Sequence, residues 1–174
     1  MNIWSFKFGD LTYIEIKERI KNGCIAIVPT GCTEQQGYHL PVDFDSWFAE
    51  TITINAVKRC YEEFGLDFLV LPTIPYGPTP EHRNYGAGFI DIPEDLHKEL
   101  LYYVLKSLSD QGFRKIIVWK GCGGHKFTDV IERFNKEFGE SCRTFIPNHP
   151  FHEIWCRIGN KNIPGGHADS FSTS

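Results

Sequence analysis

No Cys-x-x-Cys pair occurs in the 174 residues, although six are cysteine, and that absence removes the common zinc-ribbon and thiol-redox motifs. There is no basic run either: 18 Lys plus Arg stand against 22 Asp plus Glu, a formal charge of -4. Such a chain offers no stripe of cations to track a phosphate backbone, so nucleic acid is not an expected partner. No apolar run reaches the length of a membrane span, and the opening segment MNIWSFKF has neither the basic nor the long apolar part of a signal peptide. The expectation is a soluble, cytoplasmic protein without a membrane partner. Cys24, Cys32, Cys60, Cys122, Cys142 and Cys156 are then free thiols of a reducing compartment.

What is present is apolar and aromatic. A content of 41% hydrophobic and 14% aromatic residues is enough to bury one substantial core, which predicts a single domain over 1–174. Leu11, Ile14, Ile16 and Ile20 recur at helical spacing before Gly23. The run 24–28 is continuously apolar and stops at Pro29, the mark of a strand buried on both faces. A polar, Gly- and Pro-containing loop then leads to a helix over 45–64, closed by Gly65. Residues 67–71 repeat the strand pattern, and 72–92 hold too much proline and glycine for regular structure throughout. A helix over 93–110, a strand over 115–119, a tight turn over 120–124 feeding a helix over 125–138, and a strand over 144–146 complete the chain.

Strands that alternate with helices predict right-handed crossovers and an α/β fold, a three-layer α/β/α sandwich around a mostly parallel sheet. Ligands of such folds bind beyond the carboxyl ends of the strands. The segments that follow those ends hold Glu34, His39, Asp43, Asp45, Glu81, His82, Cys122, His125, His149 and His152. The carboxylates and imidazole between Gly31 and Asp45 suit a divalent metal, because hard oxygen and borderline nitrogen donors converge readily from a loop. Asp43 or Asp45 capping the next helix accounts for the same spacing, and spacing alone does not separate the two.

Glu34, Gly37, His39, Leu40, Pro41 and Asp45 stand in the register of Glu-x-His-Gly-x-His-Leu-Pro with a following Asp, and in this the segment resembles the signature of the creatininase (creatinine amidohydrolase) family. Pro75-Tyr76-Gly77, Glu81-His82 and Gly88 are similar to further elements of that family. So are Gly121-Cys122-Gly123-Gly124-His125, His167-Ala168 and Thr173-Ser174. The resemblance implies a doubly wound α/β fold, oligomeric assembly, and a two-metal site of zinc or manganese, sometimes iron, whose bridging water attacks a C–N bond of a small-molecule amide or of a peptide's C-terminal residues.

Three positions depart from the pattern. Gln36 and Cys122 stand where the family has His, and Ser172 where it has Glu, which leaves Glu34 and Asp45 of the usual ligands. The expected cofactor is therefore one divalent ion or none rather than two, zinc before manganese or iron, held near Glu34, Asp45 and Cys122. His39 and His82 are the supporting catalytic groups. Cys122 itself has three accounts: a metal ligand, a nucleophile at the entry of a helix with His125 as base, or a small apolar residue filling the space of an imidazole. His125 caps a helix in the plainest account, His97, His149 and His152 are structural, and His167 lines the pocket. The chain stops at Ser174, short of the family's usual extent, so the expected partners are a homo-oligomer or a hetero-oligomer with a related chain. The expected activity is C–N hydrolysis in a small amide. Its rivals are a non-catalytic relative used for binding or as partner of an active paralogue, and a thiol hydrolase or transferase acting through Cys122.

Overall fold

The computed structural model describes residues 5–147 and 166–168. Cys156, His149, His152 and Ser172 therefore lie outside the described residues. Four helices, α1 (Tyr13–Lys21), α2 (Phe44–Phe64), α3 (Glu94–Gln111) and α4 (Thr128–Phe138), alternate with β1 (Ile25–Thr30), β2 (Phe68–Val70), β3 (Lys115–Lys120) and β4 (Arg143–Phe145). The strands form one sheet in the order β2-β1-β3-β4, and every pair is parallel.

Local chemistry explains the ends of these elements. Thr12 and Glu15 cap α1 reciprocally, each side chain accepting from the other's backbone N–H. Helices α2 and α3 stop on Gly65 and Gly112, both left-handed, a conformation that costs glycine nothing. The buried Arg19 guanidinium ties α1 to the start of β2: it donates to Asp67 at 3.0 Å and to the carbonyls of Ser5 and Phe68 at 2.7 Å each.

Side chains alternate across the sheet and separate two cores. Ala26, Val28, Leu69, Ile116 and Val118 pack with Ile16 of α1, Leu101 and Leu105 of α3, and Val130 and Phe134 of α4. Ile27, Phe68 and Val70 point the other way onto Val57 of α2, with Ile25, Ile117 and Trp119 partly buried beside them. This is the three-layer architecture expected. Full burial of each such side chain contributes about 1.5–3 kcal/mol, and a sheet covered on both faces needs its strands apolar throughout. Among the described residues no helix is long and apolar enough to cross a membrane.

Two boundaries differ from the sequence expectation. Strand β1 does not stop at Pro29 but runs through it to Thr30, with Pro29 opposite Trp119. β2 has already ended at Val70, and the Pro29 carbonyl on that side accepts from the N–H of Ile74 at 3.0 Å. The missing proline N–H therefore breaks no rung of a full ladder. Helix α4 begins at Thr128, not at 125, so His125 belongs to the turn before it.

The chain leaves β1 for β2 on one side and returns to β3 on the other, which makes the crevice between β1 and β3 the topological switch point. Segment 71–92 folds back over it. Gly31 donates to the Ile74 carbonyl at 2.8 Å and Ile90 to the Thr33 carbonyl at 2.9 Å. The Asp91 carboxylate accepts from the Thr79 N–H at 2.8 Å, which holds the 3-10 turn Pro80–Tyr85 and its His82 over the strand ends.

Candidate metal and catalytic site

Close packing brings α2 to the strand ends. A Cβ on Gly31 would lie 2.7 Å from the Ser46 backbone, and one on Gly121 would lie 2.7 Å from the Thr30 carbonyl oxygen and 2.9 Å from the Ala49 Cβ. With hydrogen at both positions, the first turn of α2 sits against the ends of β1 and β3, and Asp45 enters the crevice. Asp43 takes the N-cap position without a side-chain cap bond. The Asp45 carboxylate accepts from the Cys32 thiol at 2.8 Å and from the Gln36 amide at 3.2 Å. The capping account therefore fails for both aspartates.

Past β1 the chain buries alternate residues: Cys32, Glu34 and Gln36 turn inward while Thr33 and Gln35 are half-buried. Donor atoms of Cys32, Glu34, Asp45 and Cys122 all lie within 4.8 Å of one another. The sequence-predicted ligands Glu34, Asp45 and Cys122 thus meet, and Cys32 joins them. Cys32, Cys122 and His125 form a second such group, and Glu34, His82 and His167 a third.

Glu34 is 3% exposed and stands where the first and third groups join. One of its oxygens lies 3.2 Å from Nδ1 of His167, the other 3.4 Å from Nε2 of His82. The Gln35 amide nitrogen reaches His82 Nδ1 at 3.0 Å, which assigns the His82 proton to Nε2, facing Glu34. Burial and the neighbouring His167 lower the His82 pKa, so its ring is neutral near pH 7. His39 lies exposed on the same loop and belongs to none of the three donor groups found among the described residues.

The electrostatics are those of crowded anions. Burial, then the Cys122 charge, pushes the Glu34 carboxyl up to about 8. Burial also raises Asp45. The Cys32 thiol beside it, and then His125, hold Cys122 down at about 4 against its own desolvation, while Cys32 is pushed up chiefly by that same contact. The expected helix dipole has no part in this, since α4 starts at Thr128.

His125 does not cap α4. Its ring is 3% exposed, lies edge to face with that of His97 at 4.5 Å between centroids, and neither ring nitrogen has a hydrogen-bond partner outside the two thiols it faces. A Cβ on Gly77 would fall 2.2 Å from His125 Nε2, so the Pro-Tyr-Gly segment lies directly on the ring. His97 is a buried structural residue, its pKa lowered to about 4 by burial and then by His125. A recess of about 420 Å³ beside the end of β2, lined by Lys7, Asp43, Trp47 and Glu50 among others, leaves the donor cluster out. Converging donors, rather than the size of a cavity, mark the site.

These residues fit a divalent cation. Two carboxylates and two thiols, all of them anionic when they ligate, gather in the interior, Glu34 Oε2 makes no hydrogen bond beyond the 3.4 Å approach of His82, and neither nitrogen of the adjacent His125 makes a hydrogen bond outside this group. Buried groups of this kind are costly without a counter-ion. Sequence reasoning missed Cys32 and the bridging Gln35. The alternation of residues 32, 34 and 36 after a buried strand was the available signal.

A family model described as creatininase, creatinine amidohydrolase, matches residues 9–174, and the chain belongs to that family. It is 27% identical over 176 residues to the 3-dehydro-scyllo-inosose hydrolase of Thermotoga maritima, covering 96% of this chain and 54% of that protein. A Bacteroides fragilis protein proposed to be a creatinine amidohydrolase superposes with a TM-score of 0.84 at 24% identity, covering 99% of this chain and 66% of that one. A creatininase variant in a Zn-Zn form superposes at 0.76 and 19% identity, covering 98% and 71%. At these identities the superpositions show the shared fold. The chain spans about half the length of the curated relatives it matches, from 40% to 54%.

Proposed function

We propose that this chain hydrolyses a C–N bond of a small amide at a single divalent ion, zinc before manganese or iron, held by Glu34, Asp45 and Cys122. The observation that carries the proposal is the convergence of these donors, within 4.8 Å of one another, in the switch-point crevice of a chain the creatininase model matches over residues 9–174. A bound divalent ion supplies a Lewis acid that polarises the carbonyl and makes water a nucleophile at neutral pH. The chain's own residues do the rest. Gln36 fixes the Asp45 carboxylate through its amide. Glu34 can take the proton that the attacking water gives up and pass it to the leaving nitrogen, with neutral His82 steadying that carboxylate through its Nε2 proton and His167 flanking it from the other side. His39, exposed on the loop, meets substrate at the mouth of the crevice. Assembly with a second copy or a related chain belongs to the same proposal, and the exposed Trp47, Tyr85 and Tyr103 offer aromatic surface for it.

The position of Cys32 favours a second reading. A fourth protein donor closes a tetrahedral ion and leaves no place for water, as in structural zinc sites. The chain would then be a metal-stabilised binding or partner subunit.

Metal analysis of protein purified without chelator, paired with turnover on a panel of cyclic and linear amides, separates the two. Catalysis predicts about one equivalent of metal per chain, turnover that chelation abolishes, and loss of turnover in Glu34→Gln. Turnover that survives in metal-free protein or in Glu34→Gln overturns the hydrolytic mechanism. Tightly held metal with no turnover on any amide leaves the structural reading in its place.

A further inference from the structure

We infer that Cys32 and Cys122 act together as a dithiolate, which makes this a thiophilic metal site that takes zinc and discriminates against manganese. The inference rests on the presence of a metal at this site and holds under either reading of it: with three protein donors in all, Cys32 in place of one carboxylate, the ion keeps a position for water, and with four it is closed. The two sulfurs lie within 4.8 Å of each other and of donors on Asp45 and Glu34 on one side and His125 on the other. Tetrahedral zinc with Zn–S bonds near 2.3 Å brings two thiolates to about 3.8 Å, so modest closure of the pair seats an ion. Both are free cysteines, and Cys32 is 0% exposed.

A pair of cysteines is not in itself a site. His125 supplies the independent observation: an imidazole 97% removed from solvent (3% exposed), both nitrogens unpartnered outside the two thiols, one of them within 4.8 Å of both sulfurs. Its position is built. Gly77 lies on the ring where a Cβ would reach to 2.2 Å of Nε2, and His97 and Phe127 pack at 4.5 and 5.7 Å between centroids. A buried imidazole with no hydrogen-bond partner outside the two thiols it faces is a ligand set aside for a cation.

The metal preference follows from the donor atoms. Manganese is hard, with the lowest affinity in the divalent series, and is suited by carboxylate, carbonyl and water oxygens, whereas thiolates select zinc. Two sulfurs beside the carboxylates of Glu34 and Asp45 and the imidazole of His125 shift the donor set from oxygen and nitrogen toward sulfur. A site of this composition cannot exchange zinc for manganese without losing its best bonds.

The test is cobalt substitution of the full chain, read by absorption. Cobalt(II) gives visible d–d bands when it binds, intense if the site is tetrahedral, and near-ultraviolet sulfur-to-cobalt charge transfer in proportion to the thiolates bound. The expected result is both sets of bands, with charge transfer reduced by about half in Cys32→Ser and in Cys122→Ser and absent from the double variant. On the unaltered chain, zinc displaces cobalt at stoichiometric amounts while manganese in hundredfold excess does not, a readout that needs no variant to fold. Cobalt d–d bands without sulfur charge transfer, charge transfer unaffected by Cys32→Ser in a variant that keeps its far-ultraviolet spectrum, or displacement by manganese overturns the dithiolate while leaving the metal site standing. Absence of cobalt bands altogether overturns both the dithiolate and the metal-dependent function.

Discussion

Glu34 divides the crevice into halves of different chemistry. On the sheet side stand Cys32, Asp45 and Cys122, anionic donors seated by contacts too tight for a methyl group at Gly31 and Gly121. On the loop side stand His82 and His167, neighbouring imidazoles joined through the Gln35 amide. Steric packing fixes the first half and directional hydrogen bonds the second. The difference assigns their work: a rigid anionic pocket holds a cation, and a ring held by hydrogen bonds steadies the carboxylate that moves a proton.

The largest expected effect comes from removing one member of each half. Cys122→Ala takes a donor from the sheet side and should weaken zinc binding by about 100-fold or more, since even outer partners of a metal ligand are worth about 10–100-fold. His82→Ala should change zinc affinity far less and act on turnover. Competition against a chromophoric chelator measures the first effect, and amide hydrolysis the second. Equal zinc affinities in the two variants would erase the proposed division and return Cys122 to the role of a small apolar filler.

Gly31→Ala tests whether packing sets the sheet half. The added methyl meets the Ser46 backbone at 2.7 Å, and backbone yields only by moving the first turn of α2 with Asp45 on it. Overpacking of this kind costs about 1–3 kcal/mol, or a fall of about 2–4 °C in the melting midpoint for each kcal/mol in a chain of this size. Zinc affinity should fall with it. A calorimetric scan that shows an unchanged midpoint would mean that α2 is seated loosely and that Asp45 is not fixed by the glycines.

These halves were unequally legible in the sequence. The strands stood out because a sheet covered on both faces needs short, unbroken apolar runs, and Ala26 to Val28, Phe68 to Val70 and Ile116 to Val118 supply them. The end of β1 did not, because proline reads as a stop unless the neighbouring strand is known to finish first, as β2 does. Position after strand ends put Glu34, Asp45 and Cys122 among ten candidates, and the resemblance to the family, not their spacing, singled them out. Cys32 was not legible, since the two-residue alternation that buries it continues past the last strand residue into what composition marks as loop. His125 was misplaced for a related reason: only the fold shows that α4 waits until Thr128 and that the ring turns inward beneath Gly77.

The smallest effect concerns how the loop half is anchored. The Asp91 carboxylate accepts from the Thr79 N–H at 2.8 Å and from Arg83 Nε at 2.7 Å, and these bonds hold it below the usual carboxylate range, the Thr79 bond foremost. Arg83 is largely exposed, so the ion pair is screened and Asp91→Asn should cost only about 1 kcal/mol at pH 7. A carboxyl whose folded pKa is depressed contributes stability that is fully present above its unfolded value near 4 and is lost as pH falls through the folded one. The variant's deficit should therefore be constant from pH 7 to about pH 5, begin to shrink near pH 4, and close once pH has fallen through the depressed folded value, below which the folded chain also carries a protonated Asp91. Urea unfolding of both chains at pH 7, 5 and 3 follows it directly. Because the turn Pro80–Tyr85 carries His82 while the sheet half rests on α2, the same substitution should slow turnover with little change in zinc affinity. A deficit that persists undiminished at pH 3, or zinc affinity that falls in step with turnover, would mean that the loop is not anchored through this carboxylate or that the two halves are one mechanical unit.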